Sequence, residues 1–86
     1  MMKGEMRLSE LAVGERCVVS GMEIGGAMRR RLLDLGVVEG GEILCVGKSP
    51  LRDPAAYLIG GAVVAIRRAD AARICVRGGA AIEKKG

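Results

Sequence analysis

Apolar and polar residues along this chain change their spacing several times, and each change marks a predicted element. From Arg16 to Met22 and from Glu42 to Lys48, apolar residues alternate with others, which is the period of a strand with one buried face. In the second strand we expect Ile43 and Cys45 to face inward. Both segments are therefore predicted to be half-buried strands.

Between these two strands the spacing becomes helical. Two glycines open the segment Gly25 to Gly36, and Met28, Leu32 and Leu35 fall on one face at about 100° per residue. Gly36 stands where helices often end through a left-handed residue. The pattern predicts one short amphipathic helix inserted between two strands.

The pair Gly60-Gly61 separates two almost wholly apolar runs and favours a tight hairpin turn. Pairing Ile59 with Ala62 gives the hairpin two apolar faces. One face covers the core, and we expect the other to be an interface, because exposed apolar patches usually mark contact sites. This outer face consists of Ala56, Leu58, Val63 and Ala65.

The remaining elements are short. Ser9 can cap a brief turn over residues 9–13, and two prolines keep residues 49–54 from forming a helix. Residues 67–73 read as a helical turn that leads into a last strand, Ile74 to Arg77, with Cys75 outward near the sheet edge. A sheet of about five short strands must curl to bury a core, so we expect an all-β fold, a small and partly open β-barrel.

Length and composition restrict the function. Eighty-six residues allow one small domain, which we place at residues 8–77 between a flexible lead-in, 1–7, and a flexible tail, 78–86. The chain has no histidine, the usual general base and the commonest metal ligand. We therefore expect neither enzymatic activity nor a resident cofactor.

The three cysteines are far apart in sequence, form no CxxC motif and cannot all pair within the chain. We interpret them as reduced thiols, with Cys17 and Cys45 as small core residues. Thiolate metal sites are usually closed by four ligands, so no metal site is predicted. Cys75 is the weak candidate for incidental metal binding or for an intermolecular disulfide.

Charge and hydropathy point away from nucleic acid and membrane. The net charge is +4, but only residues 29–31 cluster basic side chains within the domain, and aromatic residues make up 1%; single-strand binders usually interleave the two. The uncharged stretch from Ala55 to Ile66 is shorter than the roughly 20 residues of a membrane span. The start of the chain is charged, without the apolar core of a signal peptide. We expect a cytoplasmic protein that neither binds nucleic acid nor inserts into membranes.

Several segments, in this order, resemble the ferrous iron transport protein A (FeoA) family. They are Leu8-Ser9-Glu10-Leu11 with Gly14-Glu15, the helix from Gly25 to Gly36, the Gly40 turn, the loop 49–54, and residues 66–71. The resemblance covers Leu8 to Val76 and implies an SH3-like barrel. This chain departs from the family pattern at Glu39, where the family usually has Pro, and at Arg52, where it usually has Gly. The outward positions Leu58 and Val63 are commonly charged in the family.

The resemblance implies a small, non-catalytic cytosolic accessory of bacterial ferrous iron uptake that acts on the GTPase portion of the membrane permease. The alternative is a metal-responsive domain related to the carboxy-terminal SH3-like domain of iron- and manganese-dependent repressors, and a nucleic-acid-binding small barrel is a third. Tight Fe(II) or Mn(II) binding would favour the second, and salt-sensitive nucleic-acid binding the third. The helix residues Arg29, Arg30 and Leu33, with the hairpin residues Leu58 and Val63, are the predicted partner surface, which also offers a route to a homodimer.

Overall fold

The computed structural model describes residues 5–78. Its elements are β1 (Glu5–Arg7), a 3-10 turn (Leu8–Glu10), β2 (Arg16–Met22), α1 (Gly26–Leu35), β3 (Glu42–Lys48), β4 (Ala55–Ile59), β5 (Ala62–Ile66), α2 (Arg68–Ala71) and β6 (Ile74–Gly78). The six strands form one antiparallel sheet in the order β1-β6-β2-β3-β4-β5. The predicted mainly-β architecture is confirmed, with one strand more than the pattern indicates.

The additional strand is β1, which pairs with β6 from Glu5↔Arg77 to Arg7↔Cys75. It corrects the predicted lead-in, since these three residues belong to the sheet. Three residues with a single apolar side chain are too few to show alternation, so the strand depends on its partner rather than on its own sequence. At the other end β6 continues to Gly78. The flexibility predicted for residues 1–4 and 79–86 concerns positions outside the described part.

One face of the sheet, the 3-10 turn and the two helices enclose a single core. Cys17 and Val19 of β2 point into it, as do Ile43 and Cys45 of β3, and the predicted alternation in these strands is confirmed. The core side chains are Leu8, Leu11, Cys17, Val19, Ile24, Leu32, Val37, Ile43, Cys45, Ala55, Tyr57, Ile59, Ile66, Ala71, Ile74 and Val76. Every strand except β1 contributes to it, which explains how a domain of this size remains folded.

The inserted helix α1 is confirmed, and so is its glycine end. Gly36 has φ 108°, the Val37 amide donates to the Leu32 carbonyl at 2.9 Å, and Val37 folds back into the core. A β-carbon on Gly36 would lie 3.1 Å from Cγ2 of Ile59, so both the backbone conformation and the close approach favour glycine. The C-terminal end of α1 is thus fixed against the β4–β5 turn.

The predicted buried stripe of α1 is only partly correct. Leu32 is buried, Leu35 is half-buried, and Met28 is 36% exposed. Because the helix is anchored at its C-terminal end, its first turn extends past the edge of the core. Periodicity identifies the face of a helix, but not how far along that face the core reaches.

The brief turn predicted over residues 9–13 is shifted in the structure. It is a 3-10 turn that begins at Leu8, and its N-cap is Arg7 rather than Ser9. The Arg7 amide donates to Oε1 of Glu10 at 2.9 Å. The shift places Leu8 and Leu11 in the core, and both are fully buried.

Candidate functional site

The outward face of the sheet carries an apolar row across three strands. Leu44 pairs with Leu58 across β3 and β4, and Leu58 pairs with Val63 across β4 and β5. Leu58 is 37% exposed and Val63 is 65% exposed. Directly opposed residues on one face of a sheet have their β-carbons about 4.5–5.5 Å apart, so these three side chains form one patch. We call Leu44, Leu58 and Val63 the sheet patch.

A depression of about 370 Å³ lies beside the sheet patch. It is lined by Arg16, Glu42, Ile43, Leu44, Leu58 and the two glycines of the hairpin turn. Arg16 pairs with Leu44 across β2 and β3, and therefore continues the row onto the next strand. An apolar floor with one basic and one acidic side chain at its rim suits an apolar anchor of a protein partner.

The second predicted region is the exposed side of α1, where Arg29, Arg30 and Leu33 form what we call the helix patch. All three residues are exposed, with Leu33 at 39%. Nη1 of Arg29 reaches the Ile24 carbonyl at 3.5 Å, a long contact that only weakly restrains the side chain. Arg30 forms no ion pair with any carboxylate among residues 5–78.

The structure separates these two patches. Leu32 of α1 lies in the same core as Tyr57 and Ile59 of β4, so the helix is on the inner side of the hairpin. Leu58 alternates with Tyr57 and Ile59 and therefore faces the other way. The predicted single surface is thus two surfaces, on opposite sides of β4 and β5.

The sequence pattern missed Leu44 as a member of the sheet patch. Alternation in β3 places it outward, but only the strand order shows that β3 lies next to β4 and that Leu44 faces Leu58. The sequence pattern also gave no sign of a groove of about 160 Å³ between α1 and β5. Its lining includes Met28, Arg31, Val64 and Arg67. Met28, which the helical period placed in the core, lines this groove instead.

Two of the three cysteines are core residues, as predicted. Cys17 and Cys45 are fully buried, and all three cysteines are free thiols. Burial raises the pKa of the Cys17 thiol to about 12, and the nearby Glu15 carboxylate adds to the increase. The Cys17 thiol therefore stays protonated at neutral pH and is not a ready metal ligand.

Cys75 is outward but not at the edge of the sheet, contrary to the prediction. Strand β6 lies between β1 and β2, and β1 covers the side where an edge was expected. Nη1 of Arg7 donates to Sγ of Cys75 at 3.0 Å and also pairs with Oε1 of Glu23 at 2.9 Å. Sγ of Cys75 in turn lies 3.9 Å from Oε2 of Glu23, so the thiol is part of a polar cluster with both residues. Within the described range, no group of three or more histidine, cysteine or acidic side chains is placed to hold a metal ion.

None of the helices between residues 5 and 78 has the length and apolar character needed to span a bilayer.

Comparison with known proteins gives one consistent family. A fusion of Fe(2+) transport protein A with the Fe(2+) transporter FeoB from Porphyromonas gingivalis is 46% identical over 69 residues, which is 80% of this chain but only 8% of that relative. The solution structure of FeoA from Chlorobium tepidum is 38% identical, with a TM-score of 0.83 over 91% of this chain and 74% of that one. Stenotrophomonas maltophilia FeoA, a zinc complex described as a prokaryotic SH3 domain protein, is 35% identical, with a TM-score of 0.73 over 83% of this chain and 88% of that one.

A manganese-dependent transcriptional repressor matches with a TM-score of 0.73 at 16% identity, over 91% of this chain and 44% of that one. At that identity the match shows a shared fold alone. The sequence model of the FeoA domain matches residues 6–78, nearly all of the described chain. The strand order, the helix inserted between β2 and β3, and this match agree, and the chain belongs to the FeoA domain family.

Proposed function

We propose that this protein is a cytoplasmic, non-catalytic accessory of ferrous iron uptake that binds the GTPase portion of the permease FeoB. The observation that carries the proposal is the Porphyromonas gingivalis relative, in which a domain 46% identical to this chain is fused to FeoB. Fusion holds two modules at high effective concentration, which is useful when they work in contact. We propose that this domain makes the same contact with FeoB.

The sheet patch is the proposed centre of that contact. Its apolar row and the depression beside it have the composition of an interface core, and Arg16 and Glu42 give it a charged rim. Leu58 and Val63 are the anchors, because truncating a few central residues usually removes most of the binding energy. On this proposal, the sheet patch is apolar because it binds the partner and not because the fold requires it.

The helix patch is proposed as a second, separate contact. It lies on the other side of the hairpin from the sheet patch, and its side chains are exposed to solvent. Arg29 and Arg30 would meet an acidic surface of the partner and speed association, an effect that weakens with salt. Leu33 supplies the apolar part of this contact. Neutralising these two arginines is expected to lower the association rate more than it raises the dissociation rate.

The direct test is the affinity of this protein for the isolated GTPase domain of the FeoB from the same organism, measured by titration calorimetry. The double variant Leu58→Lys, Val63→Glu is expected to bind at least about tenfold more weakly. Leu51→Lys is the matched control, since Leu51 is 88% exposed and lies in a loop outside both patches. Binding by the double variant that equals wild type, or a loss as large in the control, would exclude the sheet patch.

We also propose that the sheet patch mediates self-association when the permease is absent. A symmetric dimer would place the row of one protomer against the same row of its partner. Sedimentation velocity of the wild type at high concentration is expected to show a dimer that Leu58→Lys, Val63→Glu converts to a monomer. A monomeric wild type, or a double variant that still dimerises, contradicts this interface.

A further inference from the structure

A small cavity lies where the loop 49–54 meets β4 and α2. Its lining residues are Ser9, Lys48, Arg52, Ala55, Tyr57 and Arg68, and its volume is about 130 Å³. It shares no residue with the sheet patch or the helix patch. Neither the proposed partner contact nor the packing of the core accounts for its composition.

Three of the six lining side chains are cations. Lys48, Arg52 and Arg68 come from β3, the loop and α2, so the fold brings together charges that are up to 20 residues apart in sequence. No carboxylate within residues 5–78 forms an ion pair with any of the three. Three like charges around one small cavity repel one another, and an anion bound between them would relieve that repulsion.

Asp53, which follows Arg52 in the loop, is already engaged in hydrogen bonds. Its Oδ1 accepts a hydrogen bond from the backbone amide of Arg68 at 2.8 Å, and its own amide donates to Oγ of Ser49 at 2.9 Å. The amide of Arg52 donates to the Ser49 carbonyl at 2.7 Å. These bonds close the loop and tie it to α2, so the backbone positions of Arg52 and Arg68 are set before any ligand arrives.

Two further residues that line the cavity, Tyr57 and Ser9, carry hydroxyl groups. Tyr57 is 1% exposed, and its hydroxyl reaches the Leu8 carbonyl at 3.5 Å, which is longer than a good O–H···O bond. Burial raises the pKa of Tyr57 to about 12, so the group remains a neutral donor at physiological pH. Ser9 adds a second hydroxyl donor. Cationic nitrogens with hydroxyl donors are the usual surroundings of a tetrahedral oxyanion.

The backbone conformation at Arg52 is one that an arginine does not favour, so the turn itself does not account for the residue. Its φ is 68°, and it is the one non-glycine residue in the 5–78 range with a positive φ. A β-carbon disfavours that conformation, so glycine would be the easier residue at this position. The loop therefore tolerates a strained residue that carries a guanidinium to the rim of the cavity.

We infer that this cavity binds a single phosphate-type oxyanion, held by Lys48, Arg52 and Arg68. The volume limits the ligand, because sites for whole small molecules usually occupy about 300–1,000 Å³. At about 130 Å³ the cavity lies below that range, so it has room for one phosphate group rather than for a whole nucleotide. That group is either free inorganic phosphate or the terminal phosphate of a larger molecule. The inference does not depend on the proposed contact with FeoB.

The test is an amide NMR titration of the whole protein with inorganic phosphate at constant ionic strength. We expect saturable shifts confined to Ser9, the loop 49–54 and the start of α2. Arg68→Gln is expected to weaken phosphate binding at least about tenfold, which corresponds to the loss of one charge-assisted hydrogen bond. Arg31→Gln, on the exposed side of α1, removes the same charge elsewhere and is expected to leave the affinity within about twofold.

Arg52→Gly separates binding from folding. It removes a cation and relieves the strained φ, so we expect a thermal midpoint equal to or above wild type together with at least about tenfold weaker phosphate binding. A second titration with a nucleoside diphosphate distinguishes the two sources, since a ligand held by its terminal phosphate would shift the same amides and others outside the cavity. Shifts spread over all surface arginines, equal losses in Arg31→Gln and Arg68→Gln, or no saturable shift with either ligand would overturn the inference.

Discussion

The two faces of the β4–β5 hairpin are built from the same strands and are about equally apolar, yet the large side chains of the two faces differ in their exposure. On the inner face Tyr57 and Ile59 are each 1% exposed and Ile66 is 4% exposed. On the outer face Leu58 is 37% exposed and Val63 is 65% exposed. Alternation along a strand separates the two sets of residues but does not assign one of them to the core.

The comparison shows that apolar side chains at adjacent positions of one strand can have different roles. Inner-face residues stabilise the fold, because each removes its surface from water at about 25 cal/mol per Å². Outer-face residues leave much of that surface in water and become useful when a partner covers it. Stability should therefore respond to changes on the inner face, and association to changes on the outer face.

The largest expected effect comes from truncating neighbouring residues of β4. Ile59→Ala should destabilise the protein by about 2–5 kcal/mol, because it leaves a cavity in the core beside the end of α1. Leu58→Ala should cost less than about 1 kcal/mol, mostly through lost cross-strand contacts. Urea unfolding of both variants checks this, and equal losses would show that the outer face is also part of the stabilising core.

The same contrast should hold on α1, where Leu32 faces the core and Arg30 faces solvent. Leu32→Ala is expected to cost about 2–5 kcal/mol, whereas Arg30→Ala should stay within about 0.5 kcal/mol of wild type. Both variants change one position of the same helix, which controls for general effects on helicity. Comparable midpoints in urea would mean that α1 is not packed through Leu32.

Tyr57 on the inner hairpin face and Cys17 on β2 are titratable residues of the core. Their pKa values are raised to about 12, so the unfolded state loses these protons first, from about pH 9 for the thiol and pH 10 for the phenol. Stability should be fully present below pH 9 and fall towards pH 12, by up to about 1.4 kcal/mol per pH unit for each group.

The Tyr57→Phe variant checks this interpretation, because it keeps the ring and removes the titrating hydroxyl. Its stability between pH 10 and 12 should fall less steeply than that of wild type in urea unfolding at each pH. An unchanged slope would show that Tyr57 does not titrate differently in the folded and unfolded states. Outer-face variants such as Leu58→Ala should leave the slope as it is in wild type.

The smallest expected effect concerns metal. Since Cys17 and Cys45 act as core residues, chelation should leave the thermal midpoint unchanged, whereas domains built on a structural zinc unfold without it. Calorimetry with and without excess chelator makes the measurement. A drop of several degrees would mean that a metal contributes to folding, and that these thiols have been misinterpreted.

Much of the fold is readable from local pattern. The bounds of α1, β3 and the hairpin follow from periodicity and glycine placement, and the Ile59↔Ala62 register follows from a two-glycine turn. The strand Glu5–Arg7 cannot be predicted from the sequence, because three residues are too few to show an alternation of apolar and polar side chains. The exposure of Met28 is likewise invisible, since a helical stripe does not reveal where the core ends.

The candidate sites were predicted less completely. The sequence shows Leu58 and Val63 as apolar residues on the outer face of the hairpin. Leu44 is added to them only by the pairing of β3 with β4. The cavity at the loop 49–54 escaped the sequence altogether, because Lys48, Arg52 and Arg68 form no motif along the chain. Convergence of distant side chains is a property of the folded chain.

Local patterns in the sequence are enough to show which residues alternate, that the helix ends at Gly36, and that the hairpin has two apolar faces, one of which faces outward. They are enough because turn chemistry and side-chain period are local properties of the backbone. Two other features appear only in the folded chain: β1 lies beside Cys75, and three cations surround one cavity. Those outcomes depend on strand order and on contacts between distant segments, which no local pattern encodes.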